Sequence, residues 1–193
     1  MAHPSATANR HFHAVRFYED DASLCRIVAD FVGDGLVAGQ PGIVIVTPPH
    51  RDEIARRLEA LSFDVGRLRD TRQLLLLDAE QTLEAFMKEG FPDPAAFRKS
   101  VGGVLDRAAA DLPAKPTVRA YGEMIDVLWK QNAAAAAIRL EMLWNQLADT
   151  HAFSLLCGYS MGNFYKHGAY EDICGCHTHV VSSVGHPTRV GVA

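Results

Sequence analysis

Ile43-Val44-Ile45-Val46-Thr47 is an unbroken β-branched run with no polar residue before its last position. A strand that shows one face to water alternates apolar and polar residues, so a strand without alternation is covered on both faces. Covering both faces takes helices above and below, which points to a mostly parallel sheet between two helical layers. The flanking segments fit. Leu24, Ile27, Val28, Phe31, Val32 and Leu36 follow helical spacing, with Ser23 as the expected cap and an end near Gly39, before Pro41. Asp52 is expected to open a helix carrying Ile54, Leu58 and Leu61. Leu74 to Leu77 reads as a strand, with a short helix over 79–88 and a turn at Phe91-Pro92-Asp93-Pro94. Phe97, Val101, Val104, Leu105 and Ala108 mark a helix weakened by Gly102-Gly103. Further strands are expected over 13–18, 117–121 and 153–157, with Val180-Val181 as a last, edge strand. Between them, Met124, Val127 and Leu128 start a helix that pauses near Asn132, and Leu140, Leu143, Trp144 and Leu147 line a second. The expected fold is a three-layer α/β/α domain over residues 11–184, with flexible tails at 1–10 and 185–193.

Such sheets bind ligands outside the carboxyl ends of their strands. In a nucleotide-binding relative of this layout, the first strand–loop–helix corner carries glycines and a lysine to receive phosphates. Here that corner is Tyr18-Glu19-Asp20-Asp21, with no glycine, no lysine and three acids. The anion-attracting helix N-terminus is already occupied by carboxylates, which repel a triphosphate. The net charge of −4 and the lack of a basic stripe speak against nucleic acid. No apolar run is long enough to cross a bilayer, and residues 1–10 lack the apolar core of a secretory signal. Cys25 and Cys157 sit in apolar patterns, and four cysteines in 193 residues do not make a disulfide framework. The expected setting is reducing and cytoplasmic.

The stretch from His13 to Asp20, Tyr121-Gly122-Glu123-Met124 with Leu128-Trp129, Trp144-Asn145, Leu155-Leu156-Cys157-Gly158-Tyr159, and Ile173-Cys174 followed by His177 occur in this order. Together they resemble the MEDS domain, the sensory domain named for methanogens and methylotrophs, over essentially the whole chain. The resemblance implies a degenerate RecA/KaiC-like fold that has lost its ATPase loop. It also implies the sensing of small organic molecules, such as simple hydrocarbon derivatives, beside a histidine kinase or a DNA-binding output domain. No output domain is evident here, so the expected protein is a stand-alone sensor. It regulates a partner such as a histidine kinase or a transcription regulator, without ATPase or other enzymatic activity. A homo-oligomer stays open, and the resemblance carries over no ligand and no cofactor.

The expected ligand-binding residues are His13, Tyr18, Glu19, Tyr121, Glu123, Cys157 and Tyr159. Most of them end a strand in this reading, and they could converge on one pocket. Glu123 leads the set, because Gly122 beside it lets backbone approach a ligand. The bland alternative is an acid in a first helical turn. The tyrosines each offer a flat apolar face and one hydroxyl, which also suits ordinary core packing. Trp129 and Trp144 read as core, and Asn145 as a structural residue bonding a helix end or the corner near Tyr18. Cys174, Cys176, His177 and His179 hold metal-ligating atoms, and give the alternative function of a metal- or thiol-based redox sensor. In extended backbone, however, the two cysteines share one face and the two histidines the other, which opposes a single four-ligand site. A site that borrows His13 or Cys157 remains open. Hydrolase catalysis is not expected: Gly158-Tyr159-Ser160-Met161-Gly162 has the letters of a nucleophile elbow, but nothing in the spacing of His13, His50, His151 or His177 selects a base for a nucleophile.

Overall fold

A computed structural model describes residues 12–110, 117–161, 175–181 and 187–189. It is a three-layer α/β/α domain. The first half of the chain runs β1 (His13–Tyr18), α1 (Asp21–Val37), β2 (Gly42–Val46), α2 (Pro48–Ala60), α3 (Val65–Asp70), β3 (Leu74–Asp78) and α4 (Ala79–Glu84). A small hairpin, β4 (Met87–Lys88) and β5 (Phe91–Pro92), precedes α5 (Pro94–Phe97), a π-helical turn over Arg98–Gly102 and α6 (Gly103–Ala109). The rest is β6 (Val118–Gly122), α7 (Met124–Lys130), α8 (Ala134–Leu147), β7 (Phe153–Ser160), β8 (His179–Val181) and β9 (Pro187–Arg189). The large sheet has the order β3-β2-β6-β7-β1-β8-β9, and every pairing in it is parallel except that of β8 with β9. No helix among the described residues is long and apolar enough to cross a membrane.

Alternation along the strands builds two cores. Ala14, Val44, Val46, Tyr121 and Leu156 face α1, α2 and α3. Val15, Ile43, Ile45, Val118, Ala120, Leu155 and Cys157 face α4 to α8. Both sides of β2 are buried, as its unbroken run requires. Trp144 packs edge-on to Phe97 and Phe153, with ring centroids 5.4 and 5.6 Å away, and Trp129 is buried in the same core.

Several boundaries differ from the sequence reading. Asp20, not Ser23, caps α1: its extended backbone lets the carboxylate accept the Ser23 N–H at 2.7 Å. An aspartate adds charge complementarity with the helix dipole to the hydrogen bond, so the helix starts earlier. The next helix begins at Pro48, because a proline's fixed φ and missing N–H suit the first helical position. The helix expected over 79–88 stops at Glu84, where the chain turns into the hairpin. The single helix expected through Phe97 and Ala108 is divided, and Gly102-Gly103, read as its weak point, sits where a π turn passes into α6. The last pair is also different. Strand β8 is not the edge, because Pro187–Arg189, inside the stretch read as a tail, pairs outside it.

Candidate functional site

Strand β2 leads into a helix on one face of the sheet and its neighbour β6 into a helix on the other. Such a reversal opens a crevice at the strand carboxyl ends. Glu123, the residue after β6, stands there with no exposure to solvent. Its carboxylate accepts the Thr47 backbone N–H at 3.1 Å and lies 2.7 Å from His50 Nδ1. The His50 ring reaches on through Nε2 to Asp21 at 3.3 Å, joining the crevice to the acidic corner. Next to it, the Tyr18 hydroxyl donates to buried Asp126 at 3.1 Å. Asp126 also accepts from the Ser160 N–H at 3.0 Å and pairs with Lys130 at 2.8 Å. The corner therefore holds Asp21 and Glu123 bridged by the His50 imidazole, and beside them Asp126 paired with the Lys130 ammonium. Its acids hold the helix N-terminus that a phosphate would need.

The hydrogen bond to Glu123, followed by the charges of Glu123 and Asp21, raises the His50 pKa above 6.5 against the opposing effect of burial. Protonated His50 thus stabilises the fold below about pH 6.5, and that contribution disappears as pH rises through the elevated folded value. Stability measured by urea unfolding is expected to fall over that window. In Glu123→Gln this fall should be much smaller; an identical pH profile in the variant would refute the pairing.

A second cluster lies on the α8 face of the sheet. His13 on β1 and Cys157 on β7 point the same way, because Val15 is paired with Cys157 and His13 with Leu155 in parallel register. Glu141 reaches them from α8 and His177 from the segment before β8. All four are buried, and their ligand-type atoms lie within 4.8 Å of one another. His13 Nε2 is 3.2 Å from the Glu141 carboxylate and 3.4 Å from Cys157 Sγ, and His177 Nε2 is 3.2 Å from the other Glu141 oxygen. The Tyr159 hydroxyl donates to Glu141 at 2.6 Å. Despite its burial, the Glu141 carboxyl is held well below the usual range by the His177 and His13 groups, while burial and Glu141 push the Cys157 thiol up.

The expected site residues thus divide rather than share one pocket. Tyr18 and Glu123 are at the strand-end corner, and Glu19 is exposed beside them. His13, Cys157 and Tyr159 surround Glu141. Tyr121 belongs to neither group: it is buried under α1, and among the described residues its hydroxyl has no hydrogen-bond partner. Of the C-terminal stretch, Cys174 lies outside the described residues. His177 joins the second cluster, His179 stacks on Phe12 at 4.9 Å, and Cys176 presents its carbonyl to Asn145. Asn145 bonds His13 Nδ1 at 2.9 Å rather than the corner near Tyr18, because it faces the start of β1.

Glu141 was missed, although its signal is in the sequence. Ala137, Glu141, Trp144 and Ala148 recur at helical spacing, which puts one acid on an otherwise apolar stripe. A buried acid of this kind must be paired. His50 follows the second strand, where the rule that ligands bind beyond strand carboxyl ends nominates it, whereas Asp126 had no comparable signal and looks like an ordinary acid of a first helical turn.

No curated protein matches the chain. A family model matches residues 12–178, that of MEDS, described as the methanogen/methylotroph, DcmR sensory domain. This match spans both clusters and every element from β1 to the segment before β8, and the chain belongs to the MEDS family of sensory domains.

Proposed function

We propose that this sensory domain binds a small, non-phosphorylated organic molecule at the carboxyl ends of β1, β2 and β6, and that occupancy changes its contact with a signalling partner. The carrying observation is Glu123, buried without exposure in the crevice where the strand connections diverge and linked through His50 to Asp21. A buried carboxylate with a movable imidazole beside it suits a ligand with a hydroxyl or amino group, which can take over one of these hydrogen bonds. Tyr18 supplies an adjacent apolar face. The acidic cap of α1 supports a scaffold of RecA/KaiC type without phosphate binding, hence without ATP turnover. The partner is a histidine kinase or a transcription regulator. Ligand binding moves that contact only by its differential affinity for two states of the domain. Helix α1, whose N-terminus touches the site through Asp21, is the element placed to move.

Thermal unfolding tests the reading. Among short alcohols and amines at millimolar concentration, at least one is expected to raise the melting temperature, and Glu123→Gln should abolish the rise. A ligand at 100 times its dissociation constant adds about 2.7 kcal/mol. Magnesium-ATP should give no rise. A clear rise with ATP would overturn the proposal.

A further inference from the structure

We infer that His13, Glu141, Cys157 and His177 bind one divalent transition-metal ion of the zinc class, as a closed site that ties four separate chain segments together. The inference does not depend on the strand-end ligand, because the cluster lies on the α8 face of the sheet.

Geometry is the first support. Zinc binds nitrogen and oxygen at about 2.0–2.1 Å and sulfur at about 2.3 Å, so tetrahedral donors stand roughly 3.3–3.6 Å apart. The donor separations here are 3.2 Å for His13 with Glu141, 3.4 Å for His13 with Cys157 and 3.2 Å for His177 with Glu141. Cys157 Sγ to Glu141 is 3.9 Å. His13 and His177 meet different oxygens of Glu141, and all the donor atoms lie within 4.8 Å of one another, so closing the set takes shifts of up to about 1 Å around the ion.

The donor chemistry is the second support. One thiolate, one carboxylate and two imidazoles are a zinc set, too soft for calcium or magnesium. Two imidazole rings with centroids 4.3 Å apart beside one buried carboxylate repel if both are protonated. As neutral ligands they do not. The dication then balances thiolate and carboxylate, so the buried site is neutral as a whole.

The groups behind the donors are the third. Asn145 Oδ1 lies 2.9 Å from His13 Nδ1 and, by accepting its proton, leaves the Nε2 lone pair facing the cluster. Asn145 Nδ2 donates to the Cys176 carbonyl at 2.9 Å, fixing the residue before His177. The Thr178 hydroxyl donates to the His13 carbonyl at 2.8 Å, which sets the next residue against β1. Tyr159 orients the Glu141 carboxylate. Such outer partners are what hold metal ligands in their working orientation. Four buried protein donors leave no position for substrate, as in structural zinc sites. The ion would clamp residues 175–181 to β1, β7 and α8.

The test uses the whole chain without an affinity tag, stripped of metal and titrated with cobalt(II), then zinc. The expected result is about one cobalt per chain, with the thiolate charge-transfer band and strong visible absorption of tetrahedral cobalt, displaced by zinc. Cys157→Ser should lose the charge-transfer band. Asn145→Ala should keep it while weakening zinc binding roughly 10–100-fold. X-ray absorption of the zinc-loaded wild type should give one sulfur and three nitrogen or oxygen donors, a readout that needs no variant to fold. Failure of the folded wild type to bind stoichiometric cobalt overturns the inference. So does a coordination shell with two sulfurs, which assigns the ion to Cys174 or Cys176 instead.

Discussion

In the metal-free protein, Glu141→Ala is expected to cost about 3–5 kcal/mol of stability, the usual penalty for removing one partner of a buried ion pair. The Glu141 carboxylate is the common acceptor for the Tyr159 hydroxyl and the close partner of both the His13 and His177 rings. Its loss leaves those groups buried with water excluded and opens a void beside Trp144 in the helix that carries it. Glu141→Gln should cost less, since an amide oxygen still accepts from Tyr159 but offers the imidazoles no charge. The expected order in urea unfolding is wild type, then Gln, then Ala. A loss below about 1 kcal/mol for alanine would show that the carboxylate is not the centre of this network.

Gly158→Ala is the second substitution with a large effect. Gly158 faces the α1 side of β7, and a methyl there would overlap the Tyr121 hydroxyl, with Tyr121 Cζ at 3.2 Å and Leu24 Cδ1 at 3.4 Å. Tyr121 has no room to retreat, being fully buried in that core. Overpacking of this kind costs about 1–3 kcal/mol. Tyr121→Phe removes the overlapping atom, so it should restore most of the loss in the double variant, and the two changes should be strongly non-additive. Alone, Tyr121→Phe should be neutral or stabilising, because a buried hydroxyl without a partner among the described residues carries only its desolvation cost. If the single change destabilises instead, the hydroxyl meets a bound molecule, and Tyr121 returns to the ligand-contacting set.

What was legible in the sequence follows from what is local. The continuous run of β2 and the helical spacing of α1 and α8 each report burial within one segment, so the layers of the fold could be read from them. The acidic cap at Asp20 was legible as charge, though not as the cap, because aspartate and serine compete for that role three residues apart. Strand order was not written in any one segment. It decides that Glu123 meets Thr47 and His50, and that Cys157 stands between β1 and β6, on the face of the sheet opposite Tyr121. The second cluster draws on residues 13, 141, 157 and 177, four elements with no common spacing. Alternation put His177 and His179 on one face of an extended chain, but residues 175–176 are helical and the two histidines meet different neighbours, His177 the Glu141 cluster and His179 the Phe12 ring.

Native mass spectrometry of the whole chain taken directly from cells tests the central claim most directly, that carboxylates have replaced the phosphate site and left a receptor. The account predicts a retained small organic mass without phosphorus, released from the wild type on unfolding and missing from Glu123→Gln. A nucleotide retained by the wild type would contradict it.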